Sequence, residues 1–149
     1  MERSNRKFRH EILKKNNNGK INKLEKEISC RVYVVNGYTI KVGKNNVAND
    51  RLTFSAKPND IWLHSKLEHS SHVIISSLQK EVDLTTIKIA SEICAFYSKG
   101  RESGKTEVVW TYKKHVKKPN GAKLGFVNYT NFNSIIVEPN KHEKYVKLD

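Results

Sequence analysis

Three histidines, an aspartate and a tryptophan fall within the thirteen residues from Asp60 to His72. His64, His69 and His72, spaced H-x4-H-x2-H beside Asp60, are the residue types of a metal-dependent hydrolase or an RNA-modifying or RNA-cleaving site. The spacing matches no established ligand motif, and His64 and His69 need a turn between them before they converge. No catalytic set, metal ligand or cofactor is therefore assigned, and the enzyme reading stands as the alternative. A second group is chemically plainer. The segment KKHVKKPNGAKLG carries Lys113, Lys114, Lys117, Lys118 and Lys123 within eleven residues and no carboxylate, a density that calls for solvent or a polyanion. Pro119 restricts its backbone, and Asn120-Gly121 permits a tight turn that turns the Gly121 and Ala122 amides toward a phosphate. A third group, Lys41, Lys44 and Arg51 around Asn45, Asn46 and Asn49, combines cations with amides that cap a helix or bond phosphates and base edges.

The elements that position these groups follow from periodicity. In NDIWLHS, alternation puts Asp60, Trp62 and His64 on one face of a strand and Ile61 and Leu63 on the other. In SHVIIS it puts His72, Ile74 and Ser76 opposite Val73 and Ile75. Aspartate and histidine are poor core residues, so the expectation is a buried Leu63 and a Trp62 that is at least partly accessible, sharing one exposed surface with His64 and His72. An exposed tryptophan beside lysines is a stacking platform for an unpaired base, worth roughly 1–3 kcal/mol. Trp110 has no such polar companions and is placed in the core.

Upstream, RVYVV and YTIKV flank Asn36-Gly37, the signature of a two-residue hairpin. Asn45 or Asn46 caps a short helix with Val47 and Phe54 on one side, stopped by Pro58. Asp83 caps a longer helix reaching Lys99, with Gly100 as a left-handed stop and Ile87, Ala90, Cys94 and Tyr97 as its buried stripe. KTEVVWTY, FVNY and NSIIVE are further strands. The order indicates an α+β domain, a mostly antiparallel sheet with one long and one short helix packed on it.

At 149 residues with a formal net charge of +13, the chain is one domain's worth and favours a polyanionic partner. IKIASEICAFY, interrupted by Lys88 and Glu92, is too short for a bilayer span, so no membrane partner is expected. The charged N-terminus lacks the apolar run of a secretory signal, and two cysteines without C-x-x-C spacing suit a reduced, cytoplasmic setting. Cys94, on the apolar stripe, is expected to be a buried inert thiol. Residues 1–29 hold nine Lys or Arg against four Glu around NNNGK and divide off as a basic flexible arm, with a short helix over 21–28. Residues 30–140 form the domain and 141–149 a tail.

The phrases VGKNNVANDRLTF, DIWLHS, SHVII, AFYSK, VKKPNGAKLG and SIIVEP occur in an order that resembles the NFACT-R domain, the RNA-binding domain of NFACT proteins, over roughly residues 32–139. The chain departs from the usual family phrases at His69-Ser70-Ser71-His72, where Pro-Gly-Ser-His is common, and at Leu124, where proline is frequent. The resemblance implies an RNA-binding module in ribosome-associated quality control, contacting tRNA or the large-subunit 23S rRNA, with the remaining NFACT domains as further partners and coiled-coil material preceding it, the arm being either a remnant of that material or an unrelated extension. Coupled to the residue reading, it makes Lys41, Lys44, Asn45, Asn46, Asn49, Arg51, Trp62, His64, His72, Lys113, Lys114, Lys117, Lys118, Gly121 and Lys123 the expected RNA contacts. Fibronectin binding as an adhesin is a more remote reading, opposed by the N-terminal sequence.

Overall fold

A computed structural model of the chain describes residues 28–67 and 69–147. The basic arm and its expected helix, Ile28 and Ser29 apart, lie outside the described residues. The chain enters through β1 (Cys30–Val35) and turns back as β2 (Tyr38–Gly43). Asn36 and Gly37 take φ of 51° and 83°, the positive pair a two-residue hairpin requires and the reason Asn-Gly stands there. The first helix, α1 (Asn46–Ser55), follows. Its cap is Asn45, whose side-chain oxygen accepts the Ala48 N–H at 2.8 Å. Strands β3 (Ile61–Ser65) and β4 (Val73–Ile75) then pair antiparallel, Trp62 opposite Ile74.

Helix α2 (Leu84–Phe96) is capped by Asp83, which accepts from both the Thr86 N–H and hydroxyl. It ends at Phe96 rather than at Lys99. Ser98 donates its hydroxyl to Ala95 O at 2.7 Å and accepts the Gly100 N–H at 3.1 Å, so it closes one helix and starts a short 3-10 turn, Lys99–Ser103. The left-handed glycine is accordingly Gly104, at φ 85°, not Gly100. The chain continues through β5 (Thr106–Tyr112), the small pair β6 (Val116–Lys117) and β7 (Asn128–Tyr129), and β8 (Asn133–Val137). The six-stranded sheet has the order β1-β2-β4-β3-β5-β8 and every pairing in it is antiparallel. This is the expected α+β architecture, two helices on a mostly antiparallel sheet.

Each face of the sheet carries its own apolar cluster. On one, Ile40, Val42, Ile61, Leu63, Val73, Ile75 and Val108 meet Ile87, Ala90, Ile93 and Cys94 of α2. Leu63 is fully buried, as expected, and Trp110 packs half-buried at the margin. Burial pushes the Cys94 thiol up to about 12, so it is an inert thiol at neutral pH. On the other face, Trp62, Ile74 and Val109 meet Leu52 and Ala56 of α1, with Val116, Val127 and Tyr129 from the β5–β8 connection. The buried residues of α1 are therefore Ala48, Asn49, Asp50, Leu52 and Thr53, while Val47, expected to pack, is exposed.

The segment after β8 returns to β1. Lys147 N–H bonds Val32 O at 2.9 Å, Tyr145 and Val146 lie against the α2-side cluster, and His142 Nε2 sits 2.8 Å from Glu92 Oε1. Residues 141–147, set apart by sequence as a tail, are thus packed against the domain.

Candidate nucleic-acid interface

Parity placed Trp62, His64 and His72 on one face, and the structure brings them together there. The Trp62 and His64 rings stack with centroids 5.7 Å apart, and the His72 ring meets both edge-on at 5.4 and 5.3 Å. The surface is not exposed, however. Trp62 and His72 each retain 1 % of their accessible area, because α1 and the lysine loop cover this face of the sheet. The expectation of an accessible stacking platform at Trp62 is overturned by a second covering layer. His64, half-buried, is the accessible member of the trio.

Polar groups survive here because each is bonded. Trp62 Nε1–H, which can only donate, points at His72 Nδ1 at 3.2 Å, and the Thr53 hydroxyl lies 2.8 Å from the same nitrogen. Nδ1 must therefore be the bare, accepting nitrogen, and Nε2 carries the proton and donates to Gly125 O at 3.0 Å. Protonating Nδ1 would set it against the indole N–H. Burial, reinforced by His64, lowers the His72 pKa to about 3, so the ring is neutral. Burial lowers His64 as well, against its 2.6 Å bond to Ser65 O. Asn49, also buried, accepts the His72 backbone N–H at 3.0 Å. Its oxygen lies 2.0 Å from where a Cβ on Gly43 would stand, so glycine is required at that crossing of β2 and α1. Asp60, expected on an open face, is buried with its carboxylate accepting from Ser77 N–H, Ser77 hydroxyl and Lys57 N–H.

The lysine loop is latched to the same layer. Asp50 accepts the Gly125 N–H at 3.0 Å through Oδ1 and holds Lys118 Nζ at 3.1 Å through Oδ2. Lys118 Nζ also donates to the carbonyls of Lys123 and Phe126. With side-chain exposures of 14 % and 7 %, Lys118 and Asp50 form a largely buried pair. Lys118, expected to meet phosphate, thus faces inward and closes the loop on itself. Gly125 takes φ 83°, and a Cβ there would come within 2.9 Å of Asn46 Oδ1, so the loop end lies directly against the first turn of α1. Gly121 takes φ 75°, while the Ala122 N–H is consumed by Pro119 O at 3.1 Å. That amide is not free for an anion.

What remains outward is a basic rim. Lys44, Asn45, Asn46 and Arg51 surround α1, and Lys117, Asn120 and Lys123 project from the loop beside the exposed Leu124 and Phe126. Lys41 is half-buried and, with Lys44, lies close to the Cys30 thiol, whose pKa burial nonetheless raises. Lys113 and Lys114 stand apart. The Lys113 N–H bonds Asp60 O at 2.8 Å, and Lys114 Nζ lies 5.4 Å from the centroid of Tyr112. Tyr112 belongs to the α2-side cluster, so this pair is separated from the loop tip. The histidines do not converge as ligands. His72 has both nitrogens committed, and among the described residues no group of three or more His, Cys, Asp or Glu could hold a metal.

Sequence reasoning missed Asp50, Thr53 and Gly125, whose partners lie far along the chain. It also missed Lys99 and Arg101, which line an open cleft of about 480 Å³ with Lys44, Asn45, Asn46 and His69, the last considered only as a metal-ligand candidate. No local pattern joins these last residues. They meet because Ser71 N–H bonds Tyr97 O at 3.1 Å and Lys99 N–H bonds His69 O at 2.9 Å, zipping two turns together. Among the described residues, no helix is long and apolar enough to cross a membrane.

Comparison with known proteins places this geometry in context. The profile described as the NFACT protein RNA binding domain matches residues 29–131. Rqc2 homolog RqcH of Bacillus subtilis is 48% identical over 104 residues, covering 69% of this chain and 18% of that protein. Rqc2 homolog RqcH of Streptococcus suis is 38% identical over 130 residues, covering 85% of this chain and 23% of that protein. The chain thus spans about a fifth of the length of these curated relatives. A solved structure, the C-terminal part of the fibronectin/fibrinogen-binding protein from Streptococcus suis, superposes with a TM-score of 0.75 at 33% identity, covering 80% of this chain and 49% of that one.

Proposed function

Because the chain belongs to the NFACT RNA-binding domain family, we propose that it is an RNA-binding module of ribosome-associated quality control, engaging tRNA or large-subunit rRNA. The observation that carries this reading is the division of the lysine loop. One lysine, Lys118, is spent inward on Asp50, and this leaves Lys117 and Lys123 exposed on a loop whose end, Gly125, lies against α1, the helix that follows the exposed Lys44 and carries the exposed Arg51. Exposed cations on a latched loop and its neighbouring helix suit phosphate contact, which positions RNA without reading its sequence. The curated relatives are named as Rqc2 homologues, which supports the quality-control setting. Other NFACT domains, on the same chain or a larger partner, would supply whatever this module does not hold. The proposed role is one of binding, and His72 serves the fold: it is neutral, with Nδ1 facing Trp62 Nε1–H and the Thr53 hydroxyl and Nε2 bonded to Gly125 O.

Crosslinking in cells with sequencing of the attached RNA tests the proposal. Recovery of tRNA and large-subunit rRNA supports it, and recovery of no RNA above background overturns it. In vitro, log affinity should fall with log salt by roughly 0.7 per phosphate contact on single strands, hence roughly 3 for four contacts. Lys117→Ala/Lys123→Ala should weaken every RNA and flatten that slope while leaving the melting temperature nearly unchanged.

A further inference from the structure

The cleft beside α1 differs from the loop in shape and in composition. Its walls are the first turn of α1 with Lys44, Asn45 and Asn46 on one side, and the turns 69–71 and 97–102 on the other. Lys99 and Arg101 come from the short 3-10 turn, His69 from the β3–β4 connection, and Tyr97 from the end of α2, its ring under the Arg31 guanidinium and its hydroxyl 3.2 Å from that of Tyr33. The one opposing carboxylate, Glu102, is 3.5 Å from Arg101 Nε with its side chain 91 % exposed, so it neutralises little. Lys44 and Lys99 make no ion pair among the described residues, and α1 opens with no acidic residue in its first turn. The walls are fixed by the backbone bonds between 69–71 and 97–99, by the Ser70–Ser98 bridge, and by Gly43 N–H to His72 O at 3.1 Å. The cleft is therefore preformed, cationic on both walls, and edged by amide and imidazole groups that can meet a base or ribose.

Resting on the RNA-binding reading above, we propose that this cleft seats one unpaired nucleotide of a bound RNA, its phosphate held by Lys44, Lys99 and Arg101 and its base beside His69. A volume of about 480 Å³ falls within the roughly 300–1,000 Å³ of pockets that enclose a small ligand. It admits one splayed nucleotide and excludes a duplex, whose bases stay stacked. Asn46 belongs to the cleft and also lies against Gly125 at the loop end. One RNA strand crossing the first turn of α1 can thus touch the loop lysines and leave a nucleotide in the cleft. The site makes this domain selective for RNA with an unpaired segment, where the loop alone would bind any phosphate backbone.

Fluorescence anisotropy with the full chain tests this, using a labelled single-stranded oligonucleotide and a duplex of equal length. Lys99→Ala/Arg101→Ala, on an exposed turn, should reduce single-strand affinity several-fold and lower the single-strand salt slope by about 1.4 for two lost contacts, with a smaller loss on duplex. A 4-thiouridine single strand should crosslink to a peptide containing His69. Unchanged single-strand affinity in that variant, an equal loss on both RNAs, or crosslinks confined to residues 117–126 would each overturn the cleft. If Lys117→Ala/Lys123→Ala loses binding while Lys99→Ala/Arg101→Ala keeps it, the cleft fails and the RNA reading stands. If the unaltered chain binds neither RNA, both fall.

Discussion

Replacing Lys118 by methionine removes one charge from a chain with a net charge of +13, and charge counting alone predicts a small loss of RNA affinity and no loss of stability. The structure predicts the reverse order. Lys118 Nζ lies 3.1 Å from Asp50 Oδ2, a separation at which two unit charges attract by about 5 kcal/mol at an effective dielectric of 20. Desolvation offsets part of that attraction, but methionine leaves the Asp50 carboxylate behind, buried and short of its cation. Breaking one side of such a pair costs about 3–5 kcal/mol when burial is complete. Asp50 keeps the Gly125 N–H at 3.0 Å, which places the expected cost at the low end, about 3 kcal/mol, or about 10 °C in Tm for a domain of this size.

Thermal unfolding followed by circular dichroism reads this directly, with Lys117→Met and Lys123→Met as exposed controls expected within about 0.5 kcal/mol of the parent. In the cycle with Asp50→Asn, the second substitution should cost less in the presence of the first, because the carboxylate that Lys118→Met strands is already gone. The penalty should also persist in high salt, since a buried pair is screened less than a surface one. If Lys118→Met melts with the parent protein and loses RNA affinity as much as Lys117→Met does, the ammonium reaches RNA and the inward latch is wrong.

Trp62→Ala should cost about 3–5 kcal/mol and Leu63→Ala about 2–5 kcal/mol, both measurable by urea unfolding; in a Trp110→Phe background, Trp62 emission should be that of a buried indole and should not respond to RNA. Gly125→Ala should destabilise and loosen the loop, since it forces a side chain to φ 83° against Asn46, visible as faster proteolysis at residues 117–126. Asn45→Ala should cost about 1 kcal/mol through the lost cap. For pH, His72 has a folded pKa of about 3 against an ordinary value of 6.5. The unfolded chain therefore binds this proton first, and the stability present above about pH 6.5 is lost on acidification towards pH 3. From pH 7 to pH 5 the loss should be about 2 kcal/mol, and His72→Gln should flatten it.

Alternation made the two sheet faces legible. It assigned Leu63, Val73 and Ile75 to one and Trp62, His72 and Ile74 to the other, and every one of these sides is as expected. Asn36-Gly37, Asn45 and Asp83 were legible too, because a turn or a cap is decided within a few residues. What covers the second face was not. That depends on Asp50 meeting Gly125 and on His72 meeting Gly125, contacts 75 and 53 residues apart, and no local period reports a contact at that range. The inference that Asp60 and His72 marked an open surface failed for a related reason: polarity disfavours burial only when the partners are missing.

The same failure bears on function. A tryptophan on a bare sheet would offer a base a generic ring, whereas the buried Trp62–His72–Thr53 hub offers RNA nothing directly. What it does is fix where the loop ends. His72 Nε2 and Asp50 hold the carbonyl and the amide of one residue, Gly125, and Asp50 draws in the lysine whose ammonium also ties down the Lys123 and Phe126 carbonyls. A free loop carrying Lys117, Lys118 and Lys123 would pay conformational entropy on every encounter with phosphate. Spending one lysine and a layer of buried polar bonds on the fold removes most of that cost for the lysines left outside. On this argument, substitutions inside the hub should weaken RNA binding in proportion to how far they free the loop, even where they remove no charge. Thr53→Val, which deletes one bond to His72 and leaves the surface charge intact, separates the two ideas. A loss of affinity accompanied by faster amide exchange at residues 119–126 supports preorganisation, and a loss of stability with affinity intact refutes it.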